Sequence, residues 1–331
     1  MRKLTVLSAA HFCVDMCCAA LFFGWLGKGP DWWLCMVLYN ACAFALQLPL
    51  GLLADRANRN LLFAAAGCGL VAAGFLLKGA PLPAAVVCGL GNGMFHVGAG
   101  LEVLNGSQRA APLGVFVSPG AVGLYLGTTG AALFARHGWT IPLLMALVGV
   151  ISLLAGKASP VSQNAPLSLD LSKGHAMPLM CLFGVVVLRS LMGNGAFAHG
   201  IAGLNGVVPV LCLALGKAAG GFAADRTGLR PTAILSLGAA AALLLLPRGY
   251  VTLFALFLFN MTMPLTLYEA AQLLPGAKGG AFGSLTCALF VGMLPRFTGL
   301  SFVLPAPAWA GLALLSLGLL WVGLRKEPKH G

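Results

Sequence analysis

His11, Asp15, Cys18 and Phe22 recur at helical spacing near the start of the chain, so one helix face carries an imidazole, a carboxylate, a thiol and a ring. At 1.5 Å per residue, Asp15 lies about 17 Å into an apolar run that starts at Leu4. That depth is near the middle of a hydrocarbon layer roughly 30 Å thick. An ionisable group there is costly and marks a functional-site hypothesis by default. Asp15 is therefore the first candidate for a proton-carrying carboxylate, with a fixed hydrogen bond to a neighbouring helix as the structural alternative. Arg189 falls in a later apolar run and needs a carboxylate or an anionic substrate as its partner. Asp15 is the expected partner across a shared cavity. His96 sits among Gly91, Gly93, Gly98 and Gly100, which permit close helix approach, and is a candidate either for substrate or proton handling or for packing. Lys217 and Gln47, 170 residues apart, complete the candidate cavity set; Lys217 has the further option of reaching back to the membrane interface.

A second chemistry is open to the same region. His11, Cys18, Met94 and His96 are possible ligands of a transition metal, and soft sulfur would favour copper or zinc. No Cys-x-x-Cys pair of the zinc type is present, and Cys and Met are ordinary filler in apolar helices. No phosphate-cradling Gly-x-x-x-x-Gly-Lys-Ser/Thr loop occurs, which argues against a nucleotide-driven pump. No resident cofactor, enzymatic activity or nucleic-acid partner is expected.

The elements that must position these residues are set by the solvent. Hydrophobic residues make up 59% of the 331 and charged residues 8%, with a mean hydropathy of +0.93. A soluble domain carries about 25% charged residues, so the chain reads as an all-α polytopic membrane protein. Glycine, proline and charge punctuation marks twelve spans. They are Leu4–Leu26, Trp32–Ala54, Leu61–Lys78, Leu82–Asn105, Pro112–Ala135, Trp139–Gly156, Ala176–Gly195, Ala198–Ala224, Pro231–Leu246, Val251–Leu274, Gly280–Leu300 and Pro305–Leu324. The first span shows no convincing cleavage site and is expected to be retained.

Basic residues orient the spans. With the N-terminus inside, Arg2, Lys3, Arg56, Arg59, Arg109, Lys157, Lys173, Arg226, Arg230, Lys278, Arg325, Lys326 and Lys329 fall on the cytoplasmic side. Lys28, Lys78, Arg136, Arg248 and Arg296 fall on the other, a ratio of thirteen to five that fits the positive-inside rule. Both termini are then cytoplasmic, in a cell inner membrane. The net charge of +12 is accounted for by these loops rather than by an anionic macromolecular partner. His199 is expected at the interface, at the outer end of its span.

The polar stretch 158–174 reads as a linker between residues 1–157 and 175–331. Gly51-Leu-Leu-Ala-Asp55-Arg56 aligns with Gly221-Phe-Ala-Ala-Asp225-Arg226 at an offset of 170, each closing an even-numbered span. Duplicated halves with a site at the midplane between them are a common plan for secondary transporters. The expected architecture is two pseudo-symmetric six-helix bundles.

On these loops the chain resembles the major facilitator superfamily, whose second-to-third-helix loop reads Gly-x-x-x-Asp-Arg-x-Gly-Arg-Arg. Gly51, Asp55, Arg56 and Arg59 match in the first copy, with Asn58 in place of Gly and Asn60 in place of the last basic residue. Gly221, Asp225, Arg226, Gly228 and Arg230 match in the second, with Leu229 in place of a basic residue. Asn is the next best residue for a left-handed turn. The resemblance implies the major facilitator fold, alternating access, and a latch in which Asp55 lies near a helix N-terminus of the opposite half with Arg56. Glu102 and Glu269, near cytoplasmic helix ends, are assigned to gate or latch networks. Leu7-Ser-Ala-Ala-His11-Phe-Cys-Val-Asp15, Gly91-Asn-Gly-Met-Phe-His96 and Leu188-Arg189-Ser190 are similar to the branch containing the fosmidomycin-resistance efflux proteins. Gly114-Val-Phe-Val-Ser118-Pro119-Gly-Ala-Val-Gly123 partly matches an antiporter signature of the family, with Ser118 and Val122 replacing glycines, and the family's frequent fourth-helix Arg is absent. The expected function is proton-coupled movement of a small anionic or zwitterionic organic solute by a monomer, export rather than uptake. The alternative is transport of a transition-metal ion or complex.

Overall fold

The computed structural model describes residues 2–156, 159, 173–197, 205–246, 249–300 and 304–324. Most of the expected linker 158–174 lies outside them, as do Lys157, His199, Arg248, Arg325, Lys326 and Lys329. Every regular element among the described residues is helical. In hydrocarbon each backbone N–H and C=O must be satisfied within its own segment, which a helix achieves.

Among the described residues, nine helices are long and apolar enough to cross a membrane, and three shorter apolar ones bring the number to twelve. In chain order they are α1 (Arg2–Lys28), α2 (Trp32–Ala57), α3 (Asn60–Leu76), α4 (Pro81–Gly106), α5 (Ala111–Thr129), α6 (Thr140–Leu153), α7 (Gly174–Phe197), α8 (Val207–Thr227), α9 (Leu229–Leu244), α10 (Gly249–Leu273), α11 (Lys278–Phe297) and α12 (Ala306–Gly323). One boundary differs from expectation in kind. The fifth span does not continue to Ala135; it stops at Thr129, and Ala131–Arg136 forms a separate short helix after Gly130.

Packing repeats between the halves. In the first, α1 lies against α4, α5 and α6, α3 against α4 and α6, and α2 against α4. In the second, α7 lies against α10, α11 and α12, α9 against α10 and α12, and α8 against α10. The two main cross-half contacts, α2 with α11 and α5 with α8, are themselves equivalent. Large apolar side chains left exposed, such as Leu143, Leu147, Leu235, Leu314 and Trp321, lie on α6, α9 and α12, the faces that a bilayer would cover.

The halves meet most closely at the end carrying the two Asp-Arg loops. A Cβ on Gly51 would fall onto the carbonyl of Gly279, and one on Gly283 onto that of Gln47, so α2 and α11 are in backbone contact there. The same end holds the Gly100–Phe282 contact of α4 with α11, and the hydrogen bond from Tyr268 on α10 to the Gln108 carbonyl. At the far end the link between α2 and α11 is the Trp33 indole on the Phe297 carbonyl, 2.8 Å. Both motif loops turn left-handed at equivalent positions, with Asn58 at φ 50° and Gly228 at φ 93°. Asn tolerates this region better than other L residues, which accounts for its place in the first copy.

Candidate functional site

Two helix faces build a polar cluster in the first half. His11 and Asp15, one turn apart on α1, meet Asn92 and His96, one turn apart on α4. Asp15 oxygens lie 3.2 Å from His11 Nε2 and 3.5 Å from His96 Nε2. The two Nε2 atoms are 2.8 Å apart. Asn92 Nδ2 donates to Asp15 at 3.3 Å and to the Tyr39 hydroxyl on α2 at 3.2 Å. Gly120 of α5 closes the cluster from above: any Cβ there would run into the His11 ring and the Asp15 carboxylate.

The other ring nitrogens decide what the cluster holds. His11 Nδ1 lies 2.8 Å from the Phe116 carbonyl oxygen and His96 Nδ1 lies 2.9 Å from that of Asn92. A carbonyl only accepts, so each Nδ1 carries the hydrogen, and each neutral imidazole turns a lone pair inward at Nε2. Two lone pairs and a carboxylate converge, with the nitrogens 2.8 Å apart, an arrangement that suits a proton or a cation held between them. A proton shared there would leave the group electrically neutral. His11 is 6% exposed, but Asp15 and His96 keep 20% and 14%, so the cluster can be reached by water or a small ion.

The second half offers the opposite charge. A cavity of about 520 Å³ is bounded by α7, α8, α10 and α11, with Arg189 and Lys217 among its walls. That volume lies in the range of small-molecule sites, about 300–1,000 Å³. Buried Arg189 donates to the Thr266 hydroxyl at 3.4 Å, and Lys217 donates to the Val117 carbonyl at 3.3 Å. Neither joins any of the ion pairs among the described residues. Phe44 on α2, and Gly193, Asn194 and Phe197 on α7, also line the cavity, and they lie in the only two π-helical turns among the described residues. Such turns are rare and frequently mark functional sites.

One helix break serves both regions. α5 is interrupted at Ser118 before Pro119, which has no N–H to offer the helix. The neighbouring carbonyls take side-chain donors instead, Phe116 from His11 and Val117 from Lys217. The Ser118 hydroxyl lies 2.6 Å from the Gly114 carbonyl and 2.8 Å from that of Ala214 on α8. Asp15, His11 and Lys217 are thus grouped about a single bend.

At the motif end, two carboxylates cap helices of the opposite half. Asp55 accepts from the Gly279 and Gly280 amides at the start of α11, both at 2.9 Å. Asp225 accepts from Ala110 and Ala111 at the start of α5, at 2.8 and 3.1 Å. Free amides and the positive end of the helix dipole favour a carboxylate there. Arg56, Arg59 and Arg226 are exposed, and Asp55 is held by amides rather than by Arg56. Arg230 reaches the Leu324 carbonyl at 2.7 Å and lies over the Trp321 ring, joining α9 to the end of α12.

Other expected groupings come out differently. Asp15 pairs with the histidines and not with Arg189, because its face of α1 is turned to α4 and roofed by Gly120. Gln47 is buried at the α2–α11 contact, with its side chain on the Ala43 carbonyl, and does not line the cavity that Lys217 enters. Glu102 works inside the first half, binding Lys3 at 2.6 Å, Asn60 at 3.1 Å and the Ser159 amide at 2.7 Å. Glu269 is buried on α10. Cys18 faces Cys88 with sulfurs 3.8 Å apart. Met94, two residues before His96, is turned to another side of α4. Asn92, Tyr39, Gly120 and the Phe116 carbonyl join the cluster without being marked by residue type; the i, i+4 spacing of Asn92 and His96 is the signal the sequence carries for them.

Sequence comparison returns no matching family model and no matching curated protein. Comparison of structures is more informative. The human organic anion transporter MFSD10 (TETRAN) superposes with a TM-score of 0.70 at 17% identity, over 96% of this chain and 99% of that one. A variant of the Escherichia coli fucose:proton symporter FucP gives 0.68 at 11%, over 97% of each chain. A bacterial homologue of the iron transporter ferroportin, in an outward-facing state, gives 0.60 at 15%, over 98% of each. The molecule has the twelve-helix major facilitator fold, in two six-helix bundles. At such identities the likeness is one of fold.

Proposed function

We propose that this chain is a secondary active transporter that moves a small anionic or zwitterionic organic solute across the cytoplasmic membrane, coupled to protons. The observation that carries the reading is the cavity of about 520 Å³ with two cations that have no carboxylate partner among the described residues, set beside a cluster of two imidazoles and a carboxylate fit to hold a proton. A buried cation without a counter-ion is costly, and an anionic solute would supply the missing charge. Losing the proton leaves the cluster with a net negative charge across the α5 bend from Lys217, which weakens the pull of the cavity on an anion. Bundles spanning residues 1–157 and 175–331, joined by linker 158–174, would rock about that cavity, with Asp55 and Asp225 holding the cytoplasmic end shut.

The likeness to a transporter of organic anions and to a proton symporter is consistent with this cargo and this coupling. Export is the direction we propose, on the resemblance of the stretches around His11, His96 and Arg189 to the fosmidomycin-resistance efflux branch. We also propose a monomer with both termini in the cytoplasm. Flux of candidate organic anions into proteoliposomes, with and without an imposed pH gradient, tests the reading. Gradient-driven flux that is lost in Asp15→Asn and in Arg189→Met is expected. Flux indifferent to the gradient and to both substitutions would sink it.

A further inference from the structure

We infer that His11, Asp15 and His96 form a binding site for a divalent transition metal of the zinc or cobalt type, which enters by displacing the one proton the cluster otherwise holds. The inference does not depend on the identity or direction of the cargo.

The donor set comes first. Two imidazole nitrogens and a carboxylate suit zinc, copper, nickel or iron rather than calcium or magnesium. The two Nε2 atoms are 2.8 Å apart, one Asp15 oxygen lies 3.2 Å from His11 Nε2 and the other 3.5 Å from His96 Nε2, and one ligand atom from each residue falls within 4.8 Å of the others. Metal–nitrogen and metal–oxygen bonds run about 2.0–2.2 Å. An ion between them would be held by three protein donors, and the partial exposure of Asp15 and His96 leaves room for water or another ligand.

The surroundings are those that fix metal-binding histidines. A ligating imidazole ordinarily donates its second N–H to a carbonyl or carboxylate, which sets its tautomer and aims its lone pair at the metal. His11 does so to Phe116 at 2.8 Å and His96 to Asn92 at 2.9 Å, and Asn92 in turn steadies the Asp15 carboxylate. Both Nε2 atoms are therefore committed to whatever lies between them. The remaining exposure of Asp15 and His96 supplies the access route that an ion needs.

The exchange balances simply. The protonated pair, His–H–His with a carboxylate, takes up one divalent ion and releases one proton, and the group passes from neutral to a single positive charge. The other titratable groups around it are Tyr39 on α2, Cys18 on α1 and Lys217 on α8, the last a cation within electrostatic reach of Asp15 and His96. Cys18 is turned to Cys88 and is not a ligand.

The test is binding of Zn²⁺ alone to the full-length protein in nanodiscs by titration calorimetry in buffers of different ionisation heat. The expected result is one ion per chain with about one proton released, and affinity that weakens as pH falls. His96→Gln and Asp15→Asn should each weaken binding more than tenfold, Asn92→Ala by roughly tenfold through lost orientation, and Cys18→Ser should leave it unchanged. Should the cluster variants fail to fold, Co²⁺ added to the unaltered protein decides the matter. Visible bands of a nitrogen and oxygen site without a thiolate charge-transfer band support the inference. Absence of bound ion, a thiolate band, or undiminished binding in a folded His96→Gln variant would overturn it.

Discussion

Asp15 and Arg189 stand on corresponding helices, α1 and α7, of two halves that pack by the same plan, yet they live in different electrostatic settings. Asp15 is surrounded by partners: two imidazoles, an amide and, on the α5 side, the Gly120 backbone, where a Cβ would not fit. Arg189 has one long hydrogen bond to a hydroxyl and a cavity in front of it. Gln47 and Lys217 repeat the contrast at the offset of 170, one buried in a helix contact and the other facing open volume. A duplicated scaffold keeps its backbone contacts, since these set the fold. It is free to diverge in the side chains that line the space between the halves. In the reading proposed above, the first half carries a site for a small cation and the second an open site for an anion.

The comparison is most severely tested by transport. Arg189→Met should raise the solute concentration needed for half-maximal flux by about 10- to 100-fold, the cost of a lost hydrogen bond to a charged group. Asp15→Asn should instead remove the pH dependence while leaving solute binding nearly intact. If both substitutions act on solute binding alone, the division of labour fails.

Thermal unfolding in detergent separates the halves by sign. Asp15→Ala removes the counter-charge of a satisfied cluster and should destabilise by about 1–3 kcal/mol. Arg189→Met replaces a buried, unpaired cation with an apolar side chain and should stabilise, by about 1 kcal/mol or more. A shift in the same direction for both would show that the two sites are not differently satisfied.

Smaller and equal effects are expected where the halves agree. Asp55→Asn and Asp225→Asn each remove a charge at a helix N-terminus, worth about 0.3–1 kcal/mol. Hydrogen exchange at the Gly279 and Gly280 amides, and at those of Ala110 and Ala111, should quicken to a similar extent in the respective variants. One effect joins the two sites across the α5 bend. Lys217→Gln should tighten Zn²⁺ at the cluster, because a like charge that opposes the ion is removed, and unchanged affinity would show that the two sites are electrically separate.

The twelve spans and the duplication were legible in residue types alone. Apolar runs must be helical in hydrocarbon, and a Gly-x-x-Ala-Asp-Arg loop repeated at one offset signals repetition of the helices that precede it. The left-handed turn at Asn58 was legible for the same kind of reason, because few L residues tolerate positive φ. The break of α5 at Ser118–Pro119 was written in the sequence but not read as a site. Its consequence depends on side chains from α1 and α8 arriving at two particular carbonyls.

Sequence by itself determined which ionisable residues lie deep in apolar helices and that each must be satisfied. Tertiary structure alone decided how. His96 lies 85 residues from His11, and Asn92 lies 77 from Asp15. Helical spacing relates neighbours on one element only, so no pattern in the chain marks α4, rather than α7, as the helix that Asp15 faces. That choice comes from close packing: Gly120 brings α5 onto α1, while the glycines of α4 let it sit against α2 and α3. Asp15 is thereby turned toward two imidazoles, and Arg189 is left facing the cavity.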